Sequence, residues 1–533
     1  MLFKIIYITY FEFIYHIFLL LVFLEQKTNL IALVIQYVKF NKRGQVLLKE
    51  TILTPILAIK KRYIPLLLIY FAYGASGFTA IAESFWVKKS LDLSAEALVA
   101  LGVWLTVPWT IKMIFGQMVD SITIFGSNRK IYVYIGASLI AMGMFMMIGL
   151  TSNCPFLQSY KAGNVYIFAS VIMVVGFVMQ DVVADTMSTE VVDRSQSRED
   201  IEHELAMIQV LGRLSLGIAV LMVSGLGGWL ANIYSYSTIY TIALIIPLLS
   251  IIGVTLVKLN HTPVSPLNKP IFLGGILFAI VTVLMGYNEV PYSQEIIFVI
   301  SFGVVLAMLH FLIKDLDNDT KRHIQMAMLI IFVYRAMPNV GPALQWWEID
   351  ILGFNEAFFG TLSQIGATIA LVGMWVSSKY IVRQSVGKVL IILTILGFFL
   401  SLPTLGMYYG LHTKLGLDAH TVALVDTAVS SPFSYISGVL MLTLVAIYAP
   451  EGRKGTWFAL MASLMNIALS ASGLFTKYLN QWFVVTREIK VNNMVTVPAN
   501  YDNLGILLWT VVIVGTLIPL LVIWKFDPQK ESR

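Results

Sequence analysis

Long apolar runs, separated by short polar segments that carry charge, recur from residue 63 to residue 525. A bilayer core about 30 Å thick needs ~20 mostly apolar residues per helix. That ruler predicts spans at 63–87, 94–118, 130–151, 164–187, 203–231 and 236–257. A second set falls at 324–347, 356–381, 387–409, 420–448, 455–483 and 504–525. Between the sets lie two further apolar runs, 270–287 and 294–313, joined by a short loop with Asn288 and Pro291. They predict a hairpin that enters the membrane and returns, which leaves the orientation of the second six unchanged. The expected fold is therefore an all-α polytopic bundle of six plus six helices with an extra two-helix hairpin between the halves. Its organisation is an N-terminal extension over 1–62, a bundle over 63–258, the hairpin with its loops over 259–320, a second bundle over 321–526 and a tail over 527–533.

Lysine and arginine orient the spans, because positive loops stay in the cytoplasm. Lys39, Lys42, Arg43, Lys49, Lys60, Lys61 and Arg62 precede the first span. Alternate loops then carry Arg129 and Lys130, Arg194 and Arg198, Lys258 and Lys269, Lys314 with Lys321 and Arg322, Arg383 and Lys388, Arg453 and Lys454, and finally Lys525, Lys530 and Arg533. The opposite loops are poorer, with Lys88, Lys89, Lys161, Lys414, Arg487 and Lys490. Both ends of the twelve-span region are expected in the cytoplasm, in a plasma or inner membrane. Residues 2–24 are long enough to span, yet Lys4, Glu12 and His16 interrupt them and no small-residue cleavage site follows. A surface helix, an extra span and an upstream start codon all fit that segment.

Composition agrees with a membrane protein and narrows the chemistry. Of 533 residues 58% are hydrophobic and 12% charged, against roughly 25% charged in a soluble domain. The mean hydropathy is +0.80. The net charge of +6 is spread over loops with no basic stripe, so no nucleic-acid partner is expected. The single cysteine, Cys154, excludes a disulfide scaffold and a cysteine-based metal cluster. His203-Glu204 lacks a second histidine, and no G-x-x-x-x-G-K-[ST] loop is present. Gly74-Ala-Ser76-Gly mimics a serine nucleophile, but no histidine lies in a span placed to activate it. An intramembrane enzyme is the alternative from a different class, and the missing partners count against it. No metal or cofactor is expected.

Two sets of six invite a search for a duplication. Gly116-Gln-Met-Val-Asp120 with Arg129 is similar to Gly373-Met-Trp-Val-Ser377 with Arg383, and Leu205-Ala-Met207 before Gly212 to Ala459-Leu-Met461 before Asn466. The stretch from Trp109 through Lys112, Gly116, Asp120, Gly126 and Arg129-Lys130 to Tyr132 resembles the W-x-x-K-P-x-x-G-x-x-x-D-x-x-P-x-x-G-x-x-R-R-x-Y signature of the folate–biopterin transporter family, within the major facilitator superfamily. Gln180-Asp181-Val-Val-Ala-Asp185 running to Glu190 resembles that family's D-x-x-x-D-x-x-x-x-E pattern. Leu352-Gly-Phe354 with Phe359-Gly360, and Pro450-Glu-Gly452 leading to Trp457 and Asn466, resemble two of its helix junctions. Met113 stands where the signature has proline, and the hairpin and N-terminal extension are additions. A muropeptide- or acetyl-CoA-type permease of the same superfamily shares the K…D…R-R loop and the Q-D-x-x-x-D helix, and is the nearest competitor.

The residues themselves carry candidate roles. Gly116 permits close helix approach, while Asp120 and Arg129 supply opposite charges across one loop, which by resemblance is a latch between the halves in the outward-open state. Ordinary positive-inside topology explains Arg129 and Lys130 alone. Asp181 and Asp185 share a helix face, with Asp181 about 25 Å along its span. They read either as a network with Arg129 or Lys112, or as a solvated helix end. Arg213 and Arg335 lie about 15 to 17 Å into their helices, near the midplane, where an arginine needs a partner or a water-filled cavity. Binding of a solute anion is the functional reading, with Lys112 alongside, and a structural ion pair is the plain one. Glu83 and Asp426, near outer ends, are weaker candidates for a gate or a proton site. Trp346 and Trp347 read as an interfacial belt rather than a stacking platform. The runs Ser224-Gly-Leu-Gly-Gly228 and Ala468-Leu-Ser-Ala-Ser-Gly473 read as close helix packing. The expectation is a monomeric secondary transporter, in contact with lipid and a small-molecule solute. It works by alternating access on the proton gradient, and the resemblance implies a solute of the folate or pterin kind. The hairpin is expected to lie outside the transport path.

Overall fold

The computed structural model describes residues 59–526 apart from 92, 128, 193–196, 260–266, 268, 289, 382–385, 449–453 and 492–493. The extension with its 2–24 segment, the tail, Arg194, Arg383 and the Pro450–Gly452 junction lie outside the described residues.

The first set of helices is α1 (Ile64–Ser90), α2 (Ala95–Ser121), α3 (Lys130–Thr151), α4 (Ala162–Glu190), α5 (Arg198–Ile233) and α6 (Tyr236–Leu256). The hairpin is α7 (Lys269–Tyr287) and α8 (Ser293–Ile313). The second set is α9 (Asn318–Arg335), α10 (Pro342–Asp350), α11 (Glu356–Ile381), α12 (Val386–Tyr408), α13 (Ala419–Ile447), α14 (Lys454–Trp482) and α15 (Leu504–Phe526). A two-stranded antiparallel ribbon, β1 (Ile489–Val491) and β2 (Met494–Val497), sits between α14 and α15. Ten helices among the described residues are long and apolar enough to cross a membrane.

One predicted span differs from the structure for a physical reason. Span 324–347 is not one helix. It breaks after Arg335, and Met337-Pro338-Asn339-Val340-Gly341 leads into α10 with Gly341 at φ +73°. Proline at 338 has no N–H to donate and disfavours helix for the residue before it. Helix α14 repairs the break. Ser472 Oγ donates to the Met337 carbonyl at 2.6 Å, Thr476 Oγ1 accepts from the Asn339 N–H at 3.0 Å, and Asn480 Nδ2 donates to the Val340 carbonyl at 3.1 Å. These residues recur every four positions and so form one stripe on α14. Helices α11 and α14 face the seam between the two sets, α11 against Gly225 and Gly228 of α5 and α14 against Trp109 of α2.

Each set packs around its own apolar core, with close approach wherever glycine removes a side chain. A Cβ on Gly136 of α3 would lie 2.9 Å from the Gly176 carbonyl of α4, and one on Gly227 of α5 would overlap the Phe78 carbonyl of α1. Gly116 is a correction to the sequence reading: a Cβ there would meet nothing within 4 Å, so no helix approach depends on it.

Candidate functional site

The two sets of helices meet densely at the end opposite the Arg129 loop. There Lys88 of α1 pairs with Asp350 of α10, both side chains only 8% exposed, and Lys89 pairs with Glu356 of α11 at 3.1 Å. Tyr236 OH donates to Glu356 at 2.7 Å, while Asp350 also accepts from Tyr501 OH at 2.7 Å and the Glu488 N–H at 3.0 Å. Burial first, and the Asp350 carboxylate second, push the Tyr501 phenol above its ordinary pKa, which keeps it a donor. Arg487 donates to the carbonyls of Val87 and Leu91 and lies over the Trp346 ring. Trp346 and Trp347 are 3% and 4% exposed, so they are core residues of this closed end and not an interfacial belt. Further in, α5 meets α11 through Gly225, Gly228 and Gly360, and Trp229 Nε1 donates to Thr361 at 3.1 Å. Helix α2 meets α14 through Thr106 and Ser470 at 2.7 Å, and Asn466 Nδ2 donates to the Trp109 carbonyl at 3.2 Å.

Toward the Arg129 end the interior faces carry the charged candidates. Arg213 is 61% exposed and lies 3.9 Å from Asp185, itself 42% exposed. Gly217, four residues on and so on the same face as Arg213, would carry a Cβ 3.9 Å from Leu371 of α11, so this face turns toward the second set and away from lipid. Charge exposed on a non-lipid face implies water. Asp185 also accepts from Tyr70 OH of α1 at 2.9 Å. Lys112 pairs with Asp181, and its Nζ lies 4.9 Å over the Trp109 ring. Arg335 ends α9 half-buried, with Nε 3.4 Å from the Met465 carbonyl of α14.

Arg129 pairs with Asp120 at 3.1 Å and with Glu190 of α4 at 2.9 Å, and donates to the Val119 carbonyl. These three partners belong to the first set, so the loop braces α2 against α4 in this conformation. Glu190 closes the D-x-x-x-D-x-x-x-x-E pattern and was readable there. The cross-set pairs of Lys88 and Lys89 had no local signal. Glu83 accepts from Tyr166 OH at 2.7 Å, inside the first set. The hairpin bridges both sets. Gln294 Nε2 donates to the Ala100 carbonyl of α2 at 2.8 Å, and Glu295 pairs with Lys477 of α14 and accepts from Tyr478 OH at 2.7 Å. Among the described residues no group of three His, Cys, Asp or Glu side chains is placed to hold a metal.

The model of the BT1 family matches residues 74–529. The chain belongs to the BT1 family. Among its relatives is the folate-biopterin transporter of Synechocystis sp., 25% identical over 474 residues, covering 88% of this chain and 83% of that one. The probable folate-biopterin transporter 4 of Arabidopsis thaliana is 23% identical, covering 75% and 84%. Among solved structures, a POT family transporter in complex with 5-aminolevulinic acid superposes with a TM-score of 0.63 at 14% identity, covering 88% of this chain and 96% of that chain. A D-xylose-proton symporter superposes with a TM-score of 0.54 at 15% identity, covering 88% and 98%. This BT1-family chain is thus a multi-pass membrane transporter of a small-molecule solute and not an enzyme.

Proposed function

We propose that this protein moves an organic anion of the folate or pterin kind by alternating access, driven by the proton gradient and working as a monomer. The observation that carries the reading is Arg213, a guanidinium on a lipid-averted face, exposed to an interior space and held by one carboxylate at long range. A fork of parallel donors suits a carboxylate, and an arginine 3.9 Å from its one ion-pair partner among the described residues keeps donors to offer. Arg335, at the broken end of α9 in the other set, is the second anion-binding group, and Lys112 the third. A solute held between α5 and α9 senses both sets of helices and follows their rocking. The names of the relatives support the choice of folate and pterin.

Positive loops put the Arg129 end in the cytoplasm of a plasma or inner membrane, so the conformation described is the inward-open one. The six-helix units are 63–258 and 321–526, with 259–320 a bracing hairpin between them. In the outward-open state Asp120 and Arg129 latch the cytoplasmic side, while the Lys88–Asp350 and Lys89–Glu356 pairs separate. Asp181 and Asp185 exchange partners between Lys112, Arg213 and a proton. Uptake of labelled folate and biopterin into vesicles holding the purified protein, with and without an imposed pH gradient, tests this directly. Accumulation that collapses with a protonophore is the expected result. Flux of neither solute overturns the substrate assignment, and flux indifferent to the gradient overturns the coupling.

A further inference from the structure

The charged cluster has an aromatic neighbour that the transport reading leaves without a task. Tyr73 of α1, Trp109 of α2 and Phe177 of α4 converge from three helices. The Tyr73 ring centroid lies 6.1 Å from Trp109 and 6.4 Å from Phe177, with planes tilted by 44° and 54°. Neither pair is a face-to-face stack, so the rings do not use up one another's faces. All three are half-buried, unlike the core tyrosines Tyr132 and Tyr240, which are buried outright. The α2 segment that carries Trp109 sits at the seam, where its backbone carbonyl accepts from Asn466 of the opposite set.

Their helical register ties them to the charges. Phe177, Asp181 and Asp185 are four apart, so α4 presents ring and carboxylates on one face, about 6 Å from one to the next. Tyr70 and Tyr73 are three apart on α1, and Tyr70 holds Asp185. Trp109 and Lys112 are three apart on α2, flanking the break at Ile111, and the ammonium lies over the indole. A strip of rings thus lies alongside a strip of charges.

We propose that Tyr73, Trp109 and Phe177 form the wall on which a planar heteroaromatic ring of the solute stacks, while Arg213 and Lys112 take its anionic part. This rests on the folate-or-pterin reading and adds the residues that select the ring. Ring-on-aromatic stacking is sequence- and substituent-tolerant because every flat heterocycle offers a π-face. The wall therefore accepts the bare pterin as well as the larger folate.

Fluorescence titration of the purified full chain with folate and with biopterin, which lacks a carboxylate, separates the two strips. Trp109→Leu and Tyr73→Leu should each raise Kd about tenfold for both solutes, whereas Trp109→Phe and Tyr73→Phe should stay near wild type. Arg213→Ala should weaken folate and spare biopterin. Leucine variants that bind both solutes like wild type overturn the wall, as do phenylalanine variants that lose as much as the leucine ones. Tyr73→Leu decides the matter should Trp109→Leu fail to insert. A wild-type protein that binds neither solute overturns the substrate reading and the wall together, a result distinct from loss in the variants alone.

Discussion

Lys88 and Asp350 join the two sets of helices at the closed end, and breaking them should open it. Both side chains are 8% exposed, so solvent screens the pair little. Deleting one partner of a buried pair costs about 3–5 kcal/mol when the other is stranded. Asp350 keeps its bonds from Tyr501 and the Glu488 N–H, so in Lys88→Met the loss is nearer that of one charged hydrogen bond, about 2 kcal/mol. That cost falls on the conformation closed at this end, because the pair spans α1 and α10. It shifts the equilibrium between conformations roughly 30-fold toward the one open here. Spin labels on cysteines introduced by Lys130→Cys and Lys321→Cys, in a Cys154→Ser background, read the separation of the sets at the opposite end. Lys88→Met should shorten that distance distribution, and Lys88→Arg, which keeps the cation and leaves the bonds of Asp350 to Tyr501 and the Glu488 N–H in place, should stay closer to wild type. Distributions unchanged by Lys88→Met would refute the role of the pair in closing this end.

Gly228→Val should cut transport at least tenfold with normal membrane insertion. Its Cβ would lie 2.6 Å from the Glu356 carbonyl and 2.7 Å from Gly360 Cα, backbone that yields only if α5 and α11 part, at a cost of about 1–3 kcal/mol; normal uptake by this variant would contradict the close approach. Thr476→Val strands the Asn339 N–H at the break before α10, which should destabilise the protein by about 1–3 kcal/mol, read as a lower thermal midpoint in detergent. Reporter fusions at the C-terminus and within 258–269 should both report the cytoplasm, and an external C-terminus would invert the assignment of ends.

The helices were legible because each span must hide its whole backbone from lipid, and that writes a long apolar run into the sequence. The break at 336–341 was signalled by Pro338 and Gly341, yet apolar neighbours on either side concealed it. Lys112, Asp181, Asp185 and Arg213 stood out as charges in apolar surroundings, and helical spacing alone grouped the two aspartates. Partners were another matter. Lys88 and Asp350 are 262 positions apart, and neither is unusual in its own segment. Trp346 and Trp347 have the composition of a belt and the environment of a core, a distinction that depends on Tyr408 of α12 packing against Trp347 and Arg487 lying over Trp346. The wall of Tyr73, Trp109 and Phe177 takes one residue from each of three helices, so no single stretch displays it.

Paired substitutions at Arg335 and Arg213 test whether arginines from the two sets hold the anionic part of the solute. In equilibrium binding of labelled folate to the purified protein, Arg335→Lys keeps the charge and loses the fork, so affinity should fall, and Arg335→Ala should abolish binding with protein still in the membrane. The same two changes at Arg213 should rank in the same order. Alanine variants at both positions that bind and transport folate like wild type would contradict the account.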